Sequence, residues 1–473
     1  MIRLMAGILL CCALSAHAQA PAGGQARTGS RQTASPLRLS PDAAVDMAIN
    51  NNLNMETARL GLDIKKRKAD LVWNQFLPTV GIAGTLSRDN WASSAGGVLP
   101  VPIPSSPIYG VVPYSITLPQ WHALGSFSAE LVLSFALFEG MRSMKLDYEA
   151  GLIGLEKAKL QMEQGVRKMY NAILLLEANT VLLDESYNNI KRQADIAEAN
   201  YKAGLAPRLV WLQAQVGVEN MKPAVNDLEN SLNSLKGNFA LLLGLSFDTP
   251  FELEPVTSES LAIALDAADL ISRAASGKPD VLELQAGIMT LHSQKKALTM
   301  QQYTPFLRFG WTLSSMFNPM LDPFKDTWLN KDHWNGGGNF SITLGMNFNG
   351  LLPFTKEGQQ RQDMETGIQI QNIRLAQTIR ETELEIYTKI NSLEKIRTTK
   401  DAQQAAVDLA EQSYRLTEEA YRAGLQDFQA VQNAALALDQ AKLQLLREQF
   451  NYLNDLIDLE YSIGVPFGTL SSK

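Results

Sequence analysis

The sequence predicts a membrane α+β fold. It reads as a duplicated helix–strand–strand–helix–helix unit whose four strands contribute to a shared β-barrel and whose long helices pair as coiled coils. Three observations carry this. Tyr201-Lys-Ala-Gly204-Leu205 recurs as Tyr421-Arg-Ala-Gly424-Leu425, and the same offset of 220 residues links Ala214 to Ala434 and Gly244 to Gly464. Four segments alternate between apolar and small or polar residues. Two helical stretches run more than sixty residues without a proline.

At the N-terminus, Arg3 followed by the apolar run Leu4 to Leu14 and by Ala16-His17-Ala18 has the pattern of a cleaved secretory signal, residues 1–18. That run is too short to span ~30 Å of hydrocarbon. Both cysteines, Cys11 and Cys12, fall inside it, so the mature chain carries no thiol. Neither follows a small residue, which argues against lipidation. Residues 19–38 are small, polar and proline-containing, and read as a flexible lead. Ser40-Pro41-Asp42 opens the first helix, with serine as cap and proline in the first turn.

The first structural repeat is expected over residues 39–256 and the second over residues 257–467, with the crossing near Pro250 to Ser260. Phe76-Leu77-Pro78 and Tyr303-Thr304-Pro305 each precede an alternating strand. Strands are expected at about 78–91, 125–138, 305–316 and 339–350. Val80, Ile82 and Leu86 mark one face of the first; Phe127, Leu131 and Leu133 mark the second. Leu307, Phe309, Trp311 and Leu313, then Phe340, Ile342 and Leu344, mark the others. A period of two puts each set on one side. The runs approach the ~9–11 residues that cross a bilayer at a tilt. Five of the seven tryptophans (Trp91, Trp121, Trp311, Trp328, Trp334) lie in or beside these segments, as aromatic girdles do. An ordinary β-sandwich also alternates, but it does not account for that clustering. A Gly/Pro/Ser-rich loop separates the strands of the first pair.

Four strands cannot close a barrel, and open edges in lipid leave backbone groups unpaired at several kcal/mol each. Several chains must therefore share one barrel. Three give twelve strands and room for water, so a homotrimer is expected. Glu130 and Arg308 are the charged residues on the small or polar strand faces, which makes them candidates for the barrel lumen.

Helices are expected at residues 139–201, 207–243, 356–421 and 428–463, with Pro223 kinking the second. At 1.5 Å per residue the first would run ~90 Å, far beyond one domain's diameter. Such helices need neighbours along their length. Gly204 and Gly424 suit the left-handed turn that ends a helix, with Tyr201 and Tyr421 one turn earlier. A structural coiled-coil stalk at the surface or in the periplasm is the alternative reading. It explains the helices and leaves the strands and the repeated turn unexplained.

The order of elements, with Tyr-x-Ala-Gly-Leu in both halves, resembles the TolC-type outer-membrane efflux proteins over about residues 39–467. That resemblance implies a homotrimer with a twelve-stranded barrel in the outer membrane of a Gram-negative bacterium and a helical tunnel across the periplasm. Its partners would be outer-membrane lipid, a periplasmic adaptor and an inner-membrane transporter, and its role a passive exit duct for efflux or type I secretion. Tyr201, Gly204, Leu205, Tyr421, Gly424 and Leu425 become the candidate adaptor-contact tips. Some members place aspartates six and nine residues after the second tip glycine; here Ala430 and Asn433 stand there, and Val210 and Gln213 in the first half. Asp427, Gln429, Gln432 and Asn433 are therefore the candidate gate, closed by packing and polar pairing.

The formal charge of −7 disfavours nucleic acid, which needs a basic face. The four histidines are not at metal-ligand spacing, and Gly336-Gly337-Gly338 lacks the Lys-Ser/Thr of a phosphate loop. No nucleophile, base and orienting group can be assembled. No enzyme activity, cofactor or metal is expected.

Overall fold

The computed structural model describes residues 37–88, 90, 94–102, 109–117, 121–256, 266–317, 334–348 and 352–470. The expected signal peptide and residues 19–36 of the lead lie outside the described residues. In chain order the elements are β1 (Leu37–Leu39), α1 (Pro41–Asn51), α2 (Leu53–Asp70), a 3-10 turn (Val72–Phe76), β2 (Thr79–Arg88), β3 (Ser94–Pro102), β4 (Tyr109–Thr117), β5 (Trp121–Ser134), α3 (Ala136–Lys202) and α4 (Arg208–Leu242). The second half has β6 (Phe251–Leu253), α5 (Ala267–Gly277), α6 (Pro279–Tyr303), β7 (Phe306–Phe317), β8 (Trp334–Gly345), α7 (Lys356–Arg422) and α8 (Phe428–Ile463).

The two halves repeat each other in detail. Each starts with a short helix, one extended residue (Asn52 or Lys278) and a longer helix that leads into a strand. Each then has a 67-residue helix, a tight turn and a returning arm of 35 or 36 residues. A 67-residue helix is ~100 Å long. Its stability comes from packing along its sides, because isolated helix propensity supplies little. Helix α4 is continuous through Pro223.

Two apolar cores sit where the short helices meet the long ones. The first gathers Leu39, Val166, Tyr170, Ile173, Phe239 and Phe251. Here Tyr170, fully buried, places its hydroxyl 2.9 Å from the carbonyl of Leu39 and 2.7 Å from that of Glu254. Burial pushes this phenol up to about 12. The second core gathers Leu270, Ile386, Leu393, Leu456, Leu459 and Ile463.

Polar ties join the halves. Lys168 and Gln164 of α3 both donate to Oδ1 of Asp458 on α8, at 2.8 and 2.9 Å, and Lys389 of α7 donates to its Oδ2 at 2.7 Å. Lys389 also reaches Asp455 at 2.6 Å, which accepts from Ser392 at the same distance. Nearby, Lys157 bridges to Asp280 and Glu283 at 2.8 and 2.7 Å.

Several expected boundaries move. The second strand covers 121–134 instead of 125–138: it starts earlier, with His122 inside it, and Phe135 caps α3. The fourth covers 334–345 instead of 339–350, so Gly336-Gly337-Gly338 lie in a strand. Glycine scores poorly as strand former, yet Gly338 faces Leu313, whose Cδ2 stands 2.9 Å from where a Cβ would be. Leu37 and Arg38, assigned to the lead, pair in parallel with Phe251 and Glu252. Most of the Gly/Pro/Ser-rich loop is the antiparallel ribbon β3–β4.

Candidate functional site

Strands β2, β5, β7 and β8 form one antiparallel sheet in the order β2-β5-β7-β8. Directly opposite residues share a face, so the register decides whether the four alternating patterns add or cancel. They add. Val80 opposes Ala129, Ile82 opposes Phe127, and Leu86 opposes Ala123. Leu131 and Leu133 oppose Phe309 and Leu307, which in turn oppose Ile342 and Leu344, while Trp311 opposes Phe340. One face is therefore continuously apolar across all four strands. It is open: Ile82, Phe340 and Leu344 are 67%, 64% and 73% exposed. Phe127 and Trp311 meet edge to face, with centroids 5.6 Å apart.

The other face carries Thr79, Gly81, Ser126, Ser128, Thr312, Ser314, Ser341 and Thr343. On it Arg308 Nε lies 3.2 Å from Glu130 Oε1. The two expected lumen charges thus pair with each other, and the half-exposed bridge contributes at most about 1 kcal/mol. Among the described residues, edges β2 and β8 have no strand partner.

At the far ends of the long helices are two tips. Gly204 and Gly424 adopt φ of 74° and 71°. Around each, the following leucine donates back to the carbonyl five residues earlier: Leu205 to Asn200 and Leu425 to Ala420, both at 2.8 Å. This is the Schellman turn that glycine permits. It leaves Leu205 and Leu425 each 79% exposed. Behind the first tip, Tyr201 stacks on Trp211 at 5.5 Å, with the planes 7° apart. Behind the second, Tyr421 packs on Phe428 at 6.2 Å. Phe428 is buried against Ala197 and Ala214, so it locks one hairpin onto the other. Trp211 and Phe428 were not among the expected tip residues. The signal available for them was an aromatic near the start of each returning arm.

The candidate gate residues divide. Asp427 caps α8, accepting from the Ala430 N–H at 2.8 Å. Gln429 donates to Asn433 one turn on, at 3.1 Å. Gln432 reaches across to α4, its Nε2 standing 2.5 Å from where a Cβ on Gly217 would be. Only Gln432, partly buried, lies between helices of the two hairpins. Among the described residues, no group of three His, Cys, Asp or Glu could hold a metal ion, and no helix is long and apolar enough to cross a membrane.

Residues 44–245 match the family model described as outer membrane efflux protein. No curated protein sequence matches the chain. Among solved structures, the Campylobacter jejuni CmeC outer membrane channel is similar with a TM-score of 0.66 and 16% identity, covering 90% of this chain and 85% of that one. The outer membrane protein VceC of Vibrio cholerae gives 0.65 and 15%, over 90% and 96%. The open state of the Neisseria gonorrhoeae MtrE outer membrane channel gives 0.61 and 14%, over 90% and 89%. At these identities the likeness is one of fold.

Proposed function

We propose, from the match of residues 44–245 to the outer membrane efflux protein family model, that the chain is one protomer of a trimeric outer-membrane channel, a passive exit duct for solutes delivered by an inner-membrane transporter through a periplasmic adaptor. The observation that carries the reading is the sheet: four strands in register, apolar and exposed on one face, small or polar on the other, with two open edges. In lipid such edges must be closed. Three copies, each pairing its β2 edge with a neighbour's β8, close twelve strands around a wet lumen. The helices then continue the lumen for ~100 Å, enough to cross much of a periplasm.

The first test is extraction. The mature chain is expected to require detergent, to migrate as a trimer when unheated, and to give single-channel conductance in planar bilayers. A monomer stable in plain buffer would overturn the assignment and favour a coiled-coil stalk.

At the other end, the exposed Leu205 and Leu425, presented by turns at the tips, suit contact with an adaptor. The gate rests on helix packing at Phe428 and on Gln432 between hairpins, because the carboxylate of Asp427 is occupied by its helix end. Asp427→Asn preserves the cap acceptor and removes the charge. Block of the channel by multivalent cations from the periplasmic side is expected to be the same in this variant. Loss of block would assign the gate to Asp427 instead.

A further inference from the structure

The ribbon β3–β4 is a two-stranded sheet separate from the four-stranded one. Its register runs from Ser94 opposite Thr117 to Pro102 opposite Tyr109. It is held at the end of the sheet by connections of only five residues (89–93) and three residues (118–120). A link of three residues reaches ~10 Å, so the ribbon stays beside that end. At the same end Arg88 pairs with Trp121, and Phe317 with Trp334, whose rings lie 5.3 Å apart. A charge and aromatic residues mark the level where hydrocarbon gives way to water. The ribbon begins after that level.

Its composition does not suit water. No Asp, Glu, Lys or Arg occurs between Asp89 and Glu130. Leu99 opposes Val112 on one face, and Val98 opposes Pro113 on the other. Val98, Leu99, Val111 and Val112 are all exposed, Val98 and Val111 by 63% and 67%, so both faces are apolar and both are open. An isolated two-stranded ribbon is marginal in water at best. Something must cover each face. Its edges are poor templates for adding a strand, because Pro100, Pro102 and Pro113 donate no N–H. Contact must come through side chains.

We propose that the three β3–β4 ribbons of the trimer pack against one another over the outer mouth, each ribbon laying one face on each of its two neighbours. The inference rests on the trimeric reading above. It follows from chain order and symmetry: β3 comes next in the chain after β2, the edge at which neighbouring protomers join, and a three-fold ring gives every copy one neighbour per side. Two apolar faces per ribbon match two neighbours per ribbon. Lipid would cover an outward face and leave the inward one wet.

The sequence has cysteine only at positions 11 and 12, inside the expected signal peptide, so the test is clean. Leu99→Cys and Val111→Cys stand on opposite faces of the ribbon, so a disulfide between them joins different copies. The double variant, oxidised in detergent, is expected to give covalent trimers on a denaturing gel in more than half the chains. Either single variant gives no covalent trimer. An unheated trimer that yields only monomer after denaturation would overturn the ribbon packing and leave the trimeric channel standing. Failure to form the unheated trimer would instead strike the channel reading. A fluorescent label on Val111→Cys quenched by brominated phospholipid in proteoliposomes would also overturn the proposal, by placing the ribbon in the bilayer.

Discussion

Replacing Gly464 by alanine is expected to cost the protein about 3 kcal/mol or more, whereas the same change at Gly424 costs about 1 kcal/mol. Both glycines end a helix in the left-handed region, with φ of 68° and 71°, and both close the same turn. The difference is what lies beyond the missing side chain. At Gly424 a Cβ would meet nothing within 4 Å. At Gly464 it would stand 2.2 Å from the carbonyl oxygen of Gly277, the last residue of α5. That atom is backbone and cannot rotate aside, so helix α5 must shift off α8. The shift reaches further, because Glu460, one turn back, accepts from the N–H groups of Gly468 and Leu470 at 2.9 and 2.7 Å. Gly244 repeats the arrangement against the Asn51 carbonyl, where a Cβ would come within 2.5 Å. Thermal loss of helical circular dichroism in detergent checks both variants. Equal midpoints for the Gly464 and Gly424 variants would contradict the packing argument.

Asp458→Ala is expected to cost about 2 kcal/mol, by removing the carboxylate that Lys168 and Lys389 share from different helices and leaving Lys389 with Asp455 alone. Asp458 is 11% exposed, and it accepts from Gln164, Lys168 and Lys389. A fully buried pair broken on one side would cost more. Lys168, 40% exposed, recovers part of its hydration, which lowers the figure. The pH dependence has a definite sign. Burial by itself would raise the carboxyl, but the ammonium groups of Lys168 and Lys389 outweigh it and hold Asp458 below its ordinary value. A depressed carboxyl contributes stability that is present above its unfolded value, about 3.9, and lost as pH falls through the folded one. The gap in melting midpoint between the parent and Asp458→Ala should therefore stay level from about pH 7 to 5 and narrow below about pH 4. Asp280 behaves in the same direction: burial raises it, and Lys157 and Tyr461 more than compensate. A gap that widens in acid would rule this account out.

Much of the architecture was legible residue by residue. The returning arm is expected over 428–463, and the observed helix is Phe428–Ile463. The four strands of the sheet were legible because one apolar face and one small or polar face impose a period of two. The same criterion hid the ribbon: β3 and β4 carry apolar residues on both faces together with glycine and proline, so neither alternation nor propensity marks them. Of the candidate site, the tip glycines and their exposed leucines were readable from the repeat. That Asp427 is spent on its own helix end, and that Phe428 plugs the neighbouring hairpin, was not.

Periodicity and turn chemistry are properties of a short stretch of chain. Thus the sequence by itself determined where the four sheet strands and the long helices lie, within a few residues, and which side of each of those strands repels water. It also carries the expectation that four strands need partners from other copies. Which helix lies against which was decided only in three dimensions. Lys168 meets Asp458 across 290 residues of chain, and Gly277 meets Gly464 through a gap too small for a methyl group. Such contacts come from the summed packing of whole elements, and no local pattern in either segment encodes its distant partner.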